Sequence, residues 1–431
     1  MQFFYYLALA RRSFLRHRVL TLLMVVAIAL GIGTSMTTLT VLHVLSADPL
    51  PGKSERIYSV QVDANPRSPG QEPDPQLTRY DAEALLAARR AQRQALMAGG
   101  ATALQPERPD LRPFYADARY TSADFFAMFD VPFARGGAWS AADDEARARV
   151  AVISKELEEK LFGTGQGLGQ RVRLEQHDFV VVGVLEHWRP APRFYDLAQG
   201  AFEQSEQVFL PFSTSNELQL GISGNISCWG DPGPDPRALA ASCSWVQFWA
   251  QLDSRQQAAA YRDFLLSYAE EQRRAGRFTQ PADVQLRNVT EWLDFRRAVP
   301  SDVRLQVWLA LGFLVVCLLD TVGLLLAKFL RRSPEIGVRR ALGASRRAIF
   351  TQFLVEAGLV GLVGGVLGLG LAWLGLWAVR QQPVQYAPLA ELDPTMLALS
   401  LALTLASSVL AGILPAWRAG QIAPALQLKS Q

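Results

Sequence analysis

RRSPEIGVRRALGASRRAIF, residues 331–350, carries six arginines and a single glutamate, and it lies between two of the most apolar stretches of the chain. The side of a membrane on which a loop sits follows from where lysine and arginine collect beside the spans. This connector therefore decides how the rest of the sequence is threaded.

The stretch before it, 303–330, is apolar apart from Arg304, Asp320 and Lys328, and the stretch after it, 351–379, is interrupted only by Glu356. Two further runs, 19–45 and 395–417, contain no Asp, Glu, Lys or Arg. A hydrocarbon core of about 30 Å takes about 20 helical residues, so each run is long enough to cross one. A cleavable signal peptide is the rival reading of 19–45, but the run is about twice the usual length and no small-x-small cleavage site follows it. Half of all residues are hydrophobic and 19% are charged, as expected for a chain with some spans and a large polar part. The expected fold is an α-helical membrane domain of four transmembrane helices with a large α+β extracytoplasmic (periplasmic) domain, residues 46–300, inserted between helices 1 and 2.

Residues 1–18 hold Arg11, Arg12, Arg16 and Arg18 with no acid, and read as a cytoplasmic amphipathic N-terminal helix. The connector is basic too. The loop 381–394 has Glu391 and Asp393 and no basic residue, whereas the tail 418–431 has Arg418 and Lys429. Both termini are therefore expected in the cytoplasm of a multi-pass protein. The insert 46–300 carries 28 basic and 34 acidic residues while the whole chain has a net charge of +3, so the two parts have opposite balances and nothing points to nucleic acid.

The insert alternates strand and helix character. RIYSVQV (56–62), FVVVGVL (179–185), WVQFWAQLD (245–253) and VQLRNV (284–289) read as strands. LTRYDAEALLAARRAQRQALM (77–97) and AAAYRDFLLSYAEEQRR (258–274) read as helices, and about 115–245 reads as a second lobe. Catalytic and metal-binding patterns are not found there. His177 and His187 have no ligand-spaced partners, no Gly-x-Ser-x-Gly elbow occurs, and LFGTGQGLGQRVRL (161–174) has Gln170 and Arg171 where a phosphate loop needs Lys and Ser or Thr. That segment is expected to form turns leading into a hairpin. Asp143, Asp144 and Glu145 follow a Gly-Gly turn and read as a solvated acidic surface. Cys228 and Cys243 flank the loop WGDPGPDPR; paired, they close it, and two free thiols are the alternative. Cys317 is expected to pack inside the second span.

In the connector, Ser333 suits an N-cap, Pro334 the first helical position and Glu335 the positive end of the dipole; Gly343 suits the stop, and Ser345 a cap for the next helix. The arginines face anionic lipid headgroups on the plain topological reading. A discrete capped helix fits a docking element better. Gly361, Gly364, Gly365 and Gly368 permit close helix approach, either within one subunit or across a dimer. Asp320 inside an apolar span must face another helix, hydrated headgroups or a functional path.

On this connector, with Glu-Ile-Gly and Arg-Arg-Ala-Leu-Gly-Ala-Ser (335–345) and FTQFLVEAGL (350–359), the sequence resembles the permease subunits of MacB-like and FtsX-like ABC transporters. The likeness extends to 7–33, 415–428, YTSADFFAMFDVPFARGGAW (120–139) and 150–188. It implies that Glu335, Ile336, Arg339, Arg340, Leu342, Arg346 and Arg347 form a coupling helix seated in a separate ABC ATPase subunit. ATP and Mg would be bound by that partner, with no cofactor in this chain. The resemblance further implies a bacterial inner-membrane location and pairing with a second permease copy or a paralogue. It also implies periplasmic motion that drives efflux through an adaptor and an outer-membrane channel. The same fold serving lipoprotein release or regulation of a cell-wall hydrolase is the alternative. Asp320 departs from the uncharged polar residue common near this point in the family, which leaves homodimer and heterodimer both open.

Overall fold

The computed structural model describes residues 18–62, 64–66, 72–392 and 394–420. The expected N-terminal helix, with Arg11, Arg12 and Arg16, lies outside the described residues, as does Lys429 of the tail. The chain divides into two compact units: one comprises the chain up to Ser46 and from Val299 onward, the other Ala47–Ala298.

The first unit is built from four helices long and apolar enough to cross a membrane. They are the first span Arg18–Leu45, the second Ser301–Arg331, the third Arg346–Arg380 and the fourth Pro394–Gly420. The first packs along both the second and the third, and the third along the fourth. Met24, Ile28, Ile32, Leu314, Leu325, Phe329, Phe353 and Val360 meet in their shared core. The second span starts at Ser301, directly after Pro300, whose fixed φ and missing N–H suit a helix start. Residues 289–295 form a separate short helix, Val289–Phe295, closed by a capping box between Asn288 and Glu291.

The second unit is organised around one mixed sheet. Its strands run in the order Val284–Asn288, Ile57–Val62, Cys243–Gln251, Arg93–Gln105, Phe114–Thr121, Val208–Pro211, Val150–Ile153, His177–Leu185 and Phe133–Gly136. Strands from residues 115–245, read from sequence as a second lobe, extend this same sheet. Both faces are buried. Val60, Leu96, Ala98, Tyr120 and Phe248 fill one side, and Ile57, Ala95, Met97, Phe209 and Trp249 the other, following the two-residue alternation of a strand.

Residues 77–97 are not one helix. The helix is Arg79–Ala88, capped by the Thr78 hydroxyl, which accepts from the Asp81 N–H, and it stops at Arg89 with φ of 48°. Arg93–Gln105 then pairs on both edges, with Cys243–Gln251 and with Phe114–Thr121. Ala, Gln and Arg are good helix formers, which extends the sequence pattern too far; burial between two neighbouring strands overrides that local preference. The glycine-rich 161–174 does lead into a hairpin, Arg171–Leu174 with His177–Leu185.

Candidate functional site

The connector helix spans Ser333–Ala341. Ser333 is its first residue rather than its N-cap, and no side chain caps the start. Arg332 takes that position and is at the same time the C-cap of the second span, so a single residue joins the two helices. Glu335 then lies in the first turn, where a negative charge meets the positive end of the dipole. Gly343, at φ of 98°, breaks the chain after the helix, in the left-handed region that favours glycine. The Ser345 hydroxyl accepts from the Ala348 N–H and starts the third span.

The seven residues expected to dock a partner separate into two faces. Ile336 is buried with Phe329, Ile349 and Phe353. Arg339 donates to Glu335 at 2.9 Å and to Gln352 of the third span at 3.0 Å. Glu335 also accepts from Arg332, at 3.3 Å. Ile336, Glu335 and Arg339 thus fasten the connector to the spans, and Arg340 is half-buried. Leu342 is 84% exposed, and Arg346 and Arg347 are exposed too. Val338, 56% exposed and absent from the sequence reading, joins this outward face. Arg346 and Arg347 stand in the first turn of a helix, where the macrodipole disfavours cations. Their presence there is not explained by helix stability.

Behind the connector lies a buried ionic centre. Lys328 Nζ is 2.6 Å from Glu356 Oε1, and both side chains are almost wholly withdrawn from solvent. Arg332 Nη1 contacts the other carboxylate oxygen at 3.1 Å, and Lys328 also reaches the Thr21 hydroxyl at 3.4 Å. Taking such ions out of water costs several kcal/mol each, offset only by close pairing; removing one partner then costs about 3–5 kcal/mol. Sequence reading noted Lys328 and Glu356 only as interruptions of apolar runs. The signal was present, since opposite charges within spans usually mark a pair or a functional site.

The four glycines pack within the subunit. A β-carbon on Gly361 or Gly365 would strike Ser408 or Thr404 of the fourth span, and one on Gly364 or Gly368 would press on Ile28 or Ile32 of the first. Asp320 is exposed on the second span and makes no hydrogen bond or ion pair among the described residues. Cys317, one turn away, is buried with a free thiol beside Gly31.

In the second unit Cys228 and Cys243 are disulfide-bonded across paired strands, Ser227–Cys228 and Cys243–Gln251. Arg119 is fully buried between Asp196, at 2.7 Å, and Glu206; Arg193 and the Tyr195 hydroxyl also bond Glu206, the latter at 2.8 Å. Burial opposes ionisation of Glu206, but Arg119 and Arg193 outweigh it and hold the carboxyl below its ordinary range. The acidic run is not uniformly solvated. Asp143 closes a capping box on Ser140, while Asp144 turns inward to accept from the Ala123 N–H at 2.7 Å and the Trp139 indole at 2.8 Å. Burial pushes Asp144 up to about 6. Among the described residues no group of three or more His, Cys, Asp or Glu is placed to hold a metal ion.

The described residues thus combine four helices long and apolar enough to cross a membrane, a connector with an outward basic and apolar face, and a separate unit built on a mixed sheet. The MacB-like periplasmic core domain profile matches residues 21–265, and the FtsX-like permease C-terminal profile matches 307–424. The chain belongs to the MacB-like and FtsX-like ABC transporter permease family. It is 26% identical over 331 residues to the pyoverdine export ATP-binding/permease protein PvdT of Pseudomonas fluorescens, covering 73% of this chain and 45% of the relative. It is 28% identical over 437 residues to the macrolide export ATP-binding/permease protein MacB of Rhodospirillum rubrum, covering 99% of this chain and 60% of the relative. The chain spans about half the length of the curated relatives it matches. Among solved structures, the periplasmic region of MacB from Actinobacillus actinomycetemcomitans aligns at 15% identity and a TM-score of 0.38, over 58% of this chain and 96% of that one.

Proposed function

We propose that this chain is the permease subunit of an ABC transporter, acting as a mechanical transmitter. A separate ATPase, binding ATP and Mg, seats the connector, and its closure moves the spans and, through them, a domain held in the periplasm. Two permease chains form the working pair in the bacterial inner membrane, with both termini in the cytoplasm. The output is efflux of a periplasmic substrate through an adaptor and an outer-membrane channel, in keeping with the export functions in the names of both relatives.

The observation that carries this reading is the division of the connector into two faces. One face is fixed to the spans by Ile336, Glu335 and Arg339; the other presents Val338, Leu342, Arg346 and Arg347 outward. A loop that only anchored topology needs no such division.

The test is purification of the full chain from its native membranes, comparing wild type with Leu342→Asp combined with Arg346→Glu and Arg347→Glu. A Walker-motif ATPase accompanies the wild type and is lost from the variant. Its absence from both, even after crosslinking, overturns the transporter reading. Deletion of the gene then assigns the output: lost tolerance to an exported compound supports efflux, whereas mislocalised lipoproteins or a division defect replaces it with the other output of this fold.

A further inference from the structure

We propose that Glu356, held between Lys328 and Arg332, is the positioning centre that makes the connector helix and the adjoining ends of the first three spans move as one body. The inference rests on the transmitter reading and names the residues on which transmission depends.

One carboxylate joins separate elements. Its Oε1 meets Lys328 of the second span at 2.6 Å, and its Oε2 meets Arg332 at the joint at 3.1 Å. Lys328 extends the link to Thr21 of the first span. One turn before Glu356 on the third span, Gln352 accepts from Arg339, near the far end of the connector. The connector is thus tied at both ends to one face of the third span, with Ile336 packed between the ties.

Apolar contacts such as those of Ile336 are non-directional and allow small slides at little cost. A buried ion pair does not, because separating it leaves uncompensated charge out of water. Replacing such a pair by two apolar residues is often neutral for stability, so what the pair adds is a preference for one arrangement. At this place the arrangement it selects is that of the connector on the spans.

Hydrogen exchange on the full chain in lipid nanodiscs tests this, comparing wild type with the double change Lys328→Met and Glu356→Met. The double change removes both buried charges together while depriving Arg332 of its acceptor on the third span. Expected are an unchanged Tm, unchanged protection at 24–36 and 360–372, and roughly tenfold faster exchange at 333–341. Unchanged protection at 333–341 overturns the proposal, leaving the pair as packing alone. Loss of protection in the connector and the span centres together overturns it too, since the role is then general stability. The single change Glu356→Gln, which removes the counter-charge that Lys328 and Arg332 share while Arg332 keeps Glu335 and Lys328 keeps Thr21, loosens the connector too. These exchange results are independent of the ATPase. Its absence from wild-type preparations sinks the transmitter reading alone, and its retention by the double variant, whose outward face is untouched, shows that docking and positioning are separate.

Discussion

Gly361 of the third span lies directly against Ser408 of the fourth, with no room for a methyl group between them. One turn on, Gly365 stands in the same relation to Thr404, so the two helices meet along a strip where side-chain volume is limiting.

Gly361→Val therefore forces these helices apart. The expected cost is about 1–3 kcal/mol, seen as a lower Tm in detergent. Gly370, on the same helix but facing open space, is the control. Gly370→Ala is neutral or slightly stabilising, by up to about 1 kcal/mol of helix propensity. Equal losses in both variants would remove close packing as the explanation.

The disulfide closes a loop with a sequence separation of 15 residues. Cross-links of that span contribute about 3 kcal/mol on the chain-entropy account. The double change Cys228→Ser and Cys243→Ser lowers the Tm of the second unit by several degrees, followed by tryptophan fluorescence on the full chain. Reductant lowers the wild-type Tm to that of the variant and leaves the variant unmoved; a reductant effect on the variant contradicts the assignment.

Asp144 gives the second unit a pH dependence of defined sign. Its carboxyl is raised to about 6 in the folded chain, against about 3.9 when unfolded. The folded state therefore holds the proton more tightly, so this contribution to stability is complete below about pH 4 and is lost as pH rises through 6. At 1.36 kcal/mol per pH unit it amounts to at most about 3 kcal/mol. The stability of wild type relative to Asp144→Asn is greater at pH 4 than at pH 7. A difference that does not change with pH rules out Asp144 as the source.

Arg119 and Glu206 are both nearly inaccessible to solvent. Glu206→Gln leaves Arg119 and Arg193 short of counter-charge and costs about 3–5 kcal/mol. Breaking the exposed pair Arg89–Glu145 with Glu145→Gln costs less than about 1 kcal/mol. Urea unfolding with both variants separates the two cases; similar midpoints would show that the buried cluster is not a structural centre.

The first two spans were legible in the sequence to within about two residues, because an apolar run long enough to cross a bilayer has few other uses, whereas the third helix already starts at Arg346, within the basic connector, and the fourth runs on to Gly420. Gly343 and Ser345 were legible for a related reason: a left-handed break and a capping hydroxyl are local requirements. What escaped depends on contacts between distant residues. Lys328 and Glu356 are far apart in the chain, and nothing local says that they meet. The strand Arg93–Gln105 exists because two neighbours pair with it, against the helical preference of its Ala and Gln. Asp144 was misread as solvated because its neighbour Asp143 is: adjacent helical positions face different directions, and the capping box that holds Asp143 outward leaves Asp144 turned toward Trp139.

The single-residue joint at Arg332 makes chain length here as constrained as composition. Successive helical residues are rotated by about 100°. One residue inserted between Lys328 and Glu335 would turn the connector by that angle, carrying Ile336 off the spans and Leu342 off the outer face with every side chain intact. Natural variation in this stretch should therefore be rich in substitutions and poor in insertions and deletions, and a count of gaps among relatives would reveal the connector before any count of conserved residues.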